Sequence, residues 1–109
     1  MSKAKKLIEP VQLGAAASIL LTAKENMLTL VGKVDLFNVD TTNAVVATIY
    51  LVPKDGAPSD ANTILVKSVA AKATESYVLN QVLKPGDTLR ALAGTAAKIS
   101  IHISGTVDL

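Results

Sequence analysis

Leu83-Lys84-Pro85-Gly86-Asp87-Thr88-Leu89 and, further on, Lys98-Ile99-Ser100-Ile101-His102-Ile103-Ser104-Gly105 decide the class of this chain. Pro-Gly-Asp cannot continue a helix and suits a β-turn, so the first stretch reads strand, turn, strand. In the second, Ile99, Ile101 and Ile103 point one way while Lys98, Ser100, His102 and Ser104 point the other. That period of two marks a half-buried strand. The class is all-β and antiparallel.

Working outward, Leu28 to Val39 sets Leu28, Leu30, Gly32, Val34 and Leu36 on one face, with Lys33 and Asp35 on the other. Asp40-Thr41-Thr42-Asn43 is a turn cluster, and Ala44 to Val52 is the most β-prone run in the chain. These two runs are expected to form a long hairpin. Pro53 to Asn62, with two prolines and Asp55-Gly56, is the one conspicuous loop. Strands are expected over Thr63–Ala70, Glu75–Leu79, Thr88–Ala93 and Lys98–Val107, with a helix over Val69–Leu83 as an alternative. Val11 to Thr22 reads as an Ala-rich strand and turn. Seven or eight short strands with turns about every ten residues are the spacing of a β-sandwich or jelly roll.

The chain of 109 residues is one domain by length, long enough for a single core without staples. Without cysteine there is no disulfide and no thiolate chemistry. Phe37, Tyr50 and Tyr77 are the only aromatics, a poor platform for stacking bases or sugars. Eleven Lys/Arg against nine Asp/Glu leave +2, and residues 1–10 hold three Lys and one Glu, so the rest of the chain is neutral. Residues 1–12 are expected as a flexible basic arm, with 13–109 as the sandwich domain. Lysines followed by Leu13–Leu21 imitate a secretion signal, but Glu9 and Pro10 interrupt it and the apolar run is too short to span a membrane. A soluble protein with no signal peptide and no transmembrane segment is expected.

Few residues suggest chemistry. His102 stands on a polar strand face with no second histidine or carboxylate near it in sequence, a poor metal ligand or base. Asp55, Ser59, Asp60 and Asn62 offer oxygen donors at irregular spacing, which reads as turn capping before it reads as a cation loop. No nucleophile elbow or phosphate-cradling glycine run occurs. Gly32 and Gly105 point to a bulge or close backbone approach. No catalytic residue, cofactor or metal is expected.

Assembly leaves a clearer mark. In Ala44–Val52 one face is Val45, Ala47, Ile49 and Leu51, and the other is Val46, Thr48, Tyr50 and Val52. Both are largely apolar, whereas a wet outer face should alternate more cleanly. Val46, Thr48, Tyr50 and Val52 are therefore covered either by the arm or by a partner. Ser68, Ala70, Ala71, Ala91 and Ala93 on outer faces would also suit close packing. Lys3, Lys5 and Lys6 complete the candidate partner-binding set.

The order of features carries a resemblance. Leu36-Phe37-Asn38-Val39, then Ala47-Thr48-Ile49-Tyr50-Leu51-Val52-Pro53, the Gly/Ser/Asp loop, Val82-Leu83-Lys84-Pro85-Gly86-Asp87-Thr88-Leu89-Arg90-Ala91-Leu92-Ala93 and the closing Ile-Ser-Ile-His-Ile-Ser-Gly resemble the small all-β virion accessory proteins of tailed bacteriophages. The resemblance runs over residues 13–107. It implies a non-enzymatic structural protein of the virion, a capsid decoration protein on a major capsid lattice, oligomeric and trimeric by preference. A neck or tail accessory protein, or a surface glycan-binding module using residues 53–62, are the alternatives.

Overall fold

The computed structural model describes residues 2–25 and 27–108, with the backbone alone for residues 2–5 and 108. Nine strands make two antiparallel sheets: β1 (Ser2–Lys6), β2 (Val11–Gln12), β3 (Ser18–Thr22), β4 (Leu28–Asn38), β5 (Val45–Val52), β6 (Thr63–Val69), β7 (Thr74–Leu83), β8 (Thr88–Ala93) and β9 (Ile99–Asp108). Sheet A runs β1-β9-β4-β7 with β2 also on β9, and sheet B runs β3-β8-β5-β6. The pairings are nested. β5 meets β6, β4 meets β7, β3 meets β8, and β1 with β2 meets β9, as though one long hairpin had been rolled up. The ladders β4–β9 and β5–β8 then fuse its turns into two sheets. This is a jelly-roll sandwich. Among the described residues no helix is long and apolar enough to cross a membrane.

The core lies between the sheets. Sheet A contributes Val31, Val34, Leu36, Leu83, Ile99, Ile101 and Ile103; sheet B contributes Val45, Ala47, Ile49, Val69, Leu89, Ala91 and Ala93. Large side chains dominate one layer and three alanines stand in the other, a size alternation that lets two inner faces interdigitate. Ala91 and Ala93, expected on an outer face, are thus core residues. They pair with Ile49 and Ala47, whose inward register they share.

Several expectations are corrected. β4 and β5 are not a hairpin: Asp40–Asn43 carries the chain from sheet A to sheet B. The buried Asn38 makes that crossing, donating through Nδ2 to the carbonyls of Asn43 and Val69 (both 2.9 Å) and accepting the Asp40 N–H at Oδ1 (2.9 Å). The Asp40 carboxylate accepts the N–H groups of Thr42 and Asn43, which holds its pKa below the ordinary 3.8. Residues 2–6 and 11–12 are not a free arm; they lie along β9 as edge strands, because its outer flank would otherwise leave unpaired N–H and C=O groups. Val69–Leu83 is no helix but the end of β6, a turn and the ten-residue β7.

Gly32 flips the face of β4. The register with β7 and β9 shifts between Val31 and Lys33, so Val34 and Leu36 point inward while Leu28 and Leu30 fall on the outer face. Gly105 of β9 faces this bulge. An added Cβ there would collide with the Leu30 carbonyl oxygen and lie 2.9 Å from Gly32 N. At Lys84–Asp87, Pro85 and Gly86 (φ 90°) form a type II turn, and Asp87 accepts the N–H groups of Lys84 and Lys54.

Three outcomes follow. Gly105→Ala should destabilise the fold by about 3 kcal/mol or more in urea unfolding, while Gly14→Ala, whose Cβ would meet nothing within 4 Å, should stay within about 0.5 kcal/mol. Asn38→Ala, which leaves buried carbonyls unpaired, should cost about 2–3 kcal/mol. The lowered pKa of Asp40 stabilises the fold above pH 3.8 and loses that effect as pH falls through the folded-state value. The urea midpoints of wild type and Asp40→Asn should therefore differ at neutral pH and converge below pH 3.8.

Candidate interaction face

The outer face of sheet A is apolar at one end, where Leu28, Val78 and Val82 are exposed, and polar at the other, whereas that of sheet B is apolar across its strands. On sheet A, register aligns Lys33 with Val78 and Ser104, Asp35 with Ser76 and His102, and Phe37 with Thr74 and Ser100. Ser76 Oγ donates to Asp35 Oδ1 (2.5 Å), and Lys33 Nζ stands 3.5 Å from the same oxygen. The strand pairing thus supplies His102 with a neighbouring carboxylate that its sequence position does not reveal. The serine donates to the carboxylate, and no imidazole accepts its proton, so this group is not wired as an activated nucleophile. Among the described residues no cluster of three His, Cys, Asp or Glu side chains could hold a metal.

Sheet B presents Val46, Thr48 and Tyr50 of β5 on its outer face, as their alternation requires. Register extends the face across the sheet. Thr48 is flanked by Val66 and Leu92, Val46 by Ser68, Tyr50 by Arg90, and Arg90 by Ile19 of β3. Ile19, Val46 and Val66 are 54%, 42% and 59% exposed, large apolar side chains in water on one surface. The one cation among them, Arg90, has its Nε donated to Thr88 Oγ1 (3.0 Å). The N-terminal strands lie on sheet A's edge and leave this face uncovered.

Of the remaining partner-binding candidates, Val52 is fully buried. Pro53–Gly56 folds back over it, with Gly56 N donating to the Pro53 carbonyl (2.9 Å), so the chain's own loop covers that end of β5. Lys6 pairs with Glu9 (3.0 Å) at the surface; Lys3 and Lys5 are placed on β1, and their side chains lie outside the described residues. In the 53–62 loop, Asn62 accepts the Ser59 N–H and donates to the Ala57 carbonyl, and Ser59 and Thr63 close the following turn. Those oxygens serve the loop itself. On β7, partial burial and the Glu75 carboxylate that accepts its hydroxyl proton push the Tyr77 pKa above 10.0.

What sequence reading misses is the breadth of the face. Ile19, Val66, Arg90 and Leu92 sit on three other strands, and only the pairing register shows that they join Val46, Thr48 and Tyr50. The available signal is their position on alternating runs, which fixes a side but not a neighbour.

No family model matches the chain, and no curated protein matches it in sequence. Solved structures share the fold. A protein of the disulfide-linked pili that form Bacillus endospore appendages superposes with a TM-score of 0.54 at 16% identity, over 97% of this chain and 86% of that one. The Drosophila NLP core, a protein described for pentamer formation and histone binding, gives 0.55 at 15% identity over 93% and 97%. Infectious bursal disease virus, Gx strain, gives a looser 0.47 at 17% identity over 98% of this chain and 31% of that one. At these identities the likeness is one of fold: an antiparallel sandwich of this topology.

Proposed function

We propose that this chain is a non-enzymatic structural protein of a bacteriophage virion, a decoration protein that seats the outer face of sheet B on the major capsid protein of the head. The observation that carries it is the contrast between the sheets. Ile19, Val46, Val66 and Leu92 form an apolar surface that crosses every strand of sheet B, while on sheet A the exposed Leu28, Val78 and Val82 gather at one end and Asp35, Ser76 and His102 make the other end polar. An exposed apolar patch on a small stable sandwich marks an interaction site. The resemblance of residues 13–107 to phage accessory proteins supplies the kind of particle. Two proteins of the same fold belong, by their descriptions, to pili and to a pentamer, which agrees with a sandwich used as a repeated unit.

The physics of such a role asks for a rigid scaffold, a dry contact surface and a neutral body. The chain outside residues 1–10 is neutral, so copies crowd on a lattice with little mutual repulsion. Lys3, Lys5 and Lys6, on an edge strand, suit protection of that edge against stray strand addition.

Binding of purified protein to heads that lack it tests the reading. The Val46→Lys, Val66→Lys double variant should lose at least about tenfold in affinity with its thermal midpoint within about 2 °C of wild type. Ser104→Lys, on the outer face of sheet A, should bind as wild type does. Equal binding by all three proteins would remove sheet B as the docking face.

A further inference from the structure

Five strands have an open side: β1, the two-residue β2 and β7 on sheet A, and β3 and β6 on sheet B. An open edge offers unpaired N–H and C=O groups to any passing strand unless it is short, bulged or charged. β1 carries three lysines, and β3 has five residues with a bulge between Ile19 and Leu21. β6 and β7 are seven and ten residues long; their own register shifts, at Ile64 and at Leu79–Asn80, lie at the ends far from residues 70–73, and the regular stretches nearer that link carry one charge each, Lys67 and Glu75.

These two charges are placed alike. Lys67 is in register with Ala47 and Glu75 with Leu36, both buried, so both occupy inward-facing positions of their strands. Residues 70–73 link the strands through a turn in which Ala73 N donates to the Ala70 carbonyl (3.1 Å), which puts both edges on one side of the sandwich. Each charge lies close to that turn, so they stand at the same level. The ion pairs among the described residues, Lys6–Glu9 and Lys33–Asp35, do not include them.

We infer that two copies of this chain pair along this side about a two-fold axis parallel to the strands, β7 of each adding to β6 of the other, with Glu75 against the second copy's Lys67 in both seams. Rotation about that axis brings sheet A of one copy level with sheet B of the other. β6 and β7 run in opposite directions, so each added pair is antiparallel. With Glu75 opposite Lys67, Ser76 falls opposite Val66 and Thr74 opposite Ser68, all outward, so the pleats match. Opposite charges facing across an antiparallel pair attract, and like charges repel. An inward charge therefore deters a neutral strand but accepts this one, and a two-fold interface repeats the contact. The pairing leaves the outer face of sheet B open and stands whether or not that face docks on a capsid.

Light scattering and sedimentation of the full chain, from micromolar to millimolar concentration, read it directly. Wild type should reach the mass of two chains. Lys67→Glu and Glu75→Lys should each weaken the dimer by about tenfold or more, and the double charge swap should restore it. Amide hydrogen exchange on wild type gives a readout independent of any variant: β6 and β7 should gain protection as the concentration rises, while β1 and β3 should not. A wild type that stays monomeric, a trimer, a double swap as weak as the singles, or unchanged protection in β6 and β7 would overturn the pairing. The Ile19→Lys, Val46→Lys double variant, on β3 and β5 away from both seams, should weaken capsid binding and leave the dimer mass unchanged, so failure of the capsid contact and failure of this contact are read separately.

Discussion

β9 is held on both flanks, by β4 along its length on one side and by β1 and β2 on the other, and the rest of the sandwich depends on that double ladder. Its alternation sends Ile99, Ile101 and Ile103 inward, where the alanines of β5 and β8 leave room opposite. Its weak point is also its most constrained one. Gly105 passes the Gly32 bulge too closely for any side chain, and that bulge decides which residues of β4 are core and which are surface. One backbone contact thus sets the chemistry of a whole outer face.

Legibility follows the range of the interaction. The closing strand, the Pro85-Gly86 turn, β8 and the bulge glycines are written in local pattern, and all appear where that pattern places them. The β4–β5 connection is not legible, because Asp40–Asn43 reads as a turn in a hairpin and in a sheet-crossing arch alike. What distinguishes them is Asn38 reaching Val69, a contact between residues far apart in sequence. Ala91 and Ala93 fail for a related reason. An alanine is silent about which side it faces until its cross-strand partner is known.

The candidate face shows the same division. Val46, Thr48 and Tyr50 are legible as an apolar second face, but Val52, one step further in the same alternation, is sealed by a loop whose fold-back its residues do not announce. The outward sets also explain why one sandwich offers separate kinds of contact. Side chains make the broad face of sheet B, while backbone groups together with Lys67 and Glu75 line the edges at β6 and β7, and Val66 belongs to both.

The nesting of the strand pairs has a kinetic consequence. β5 and β6 meet across a short loop, whereas Ser2 and Asp108 meet only after almost the entire chain has been enclosed. Closure entropy rises with the length enclosed, so the order of docking runs from the inside of the rolled hairpin outward, and such high contact order belongs to slow folders. The strand that docks last, β1, is covered on one flank alone and is the first to peel away. Its opening leaves β9 paired with β4 and the core closed, so the molecule carries its least stable unit at the place where losing it does the least harm.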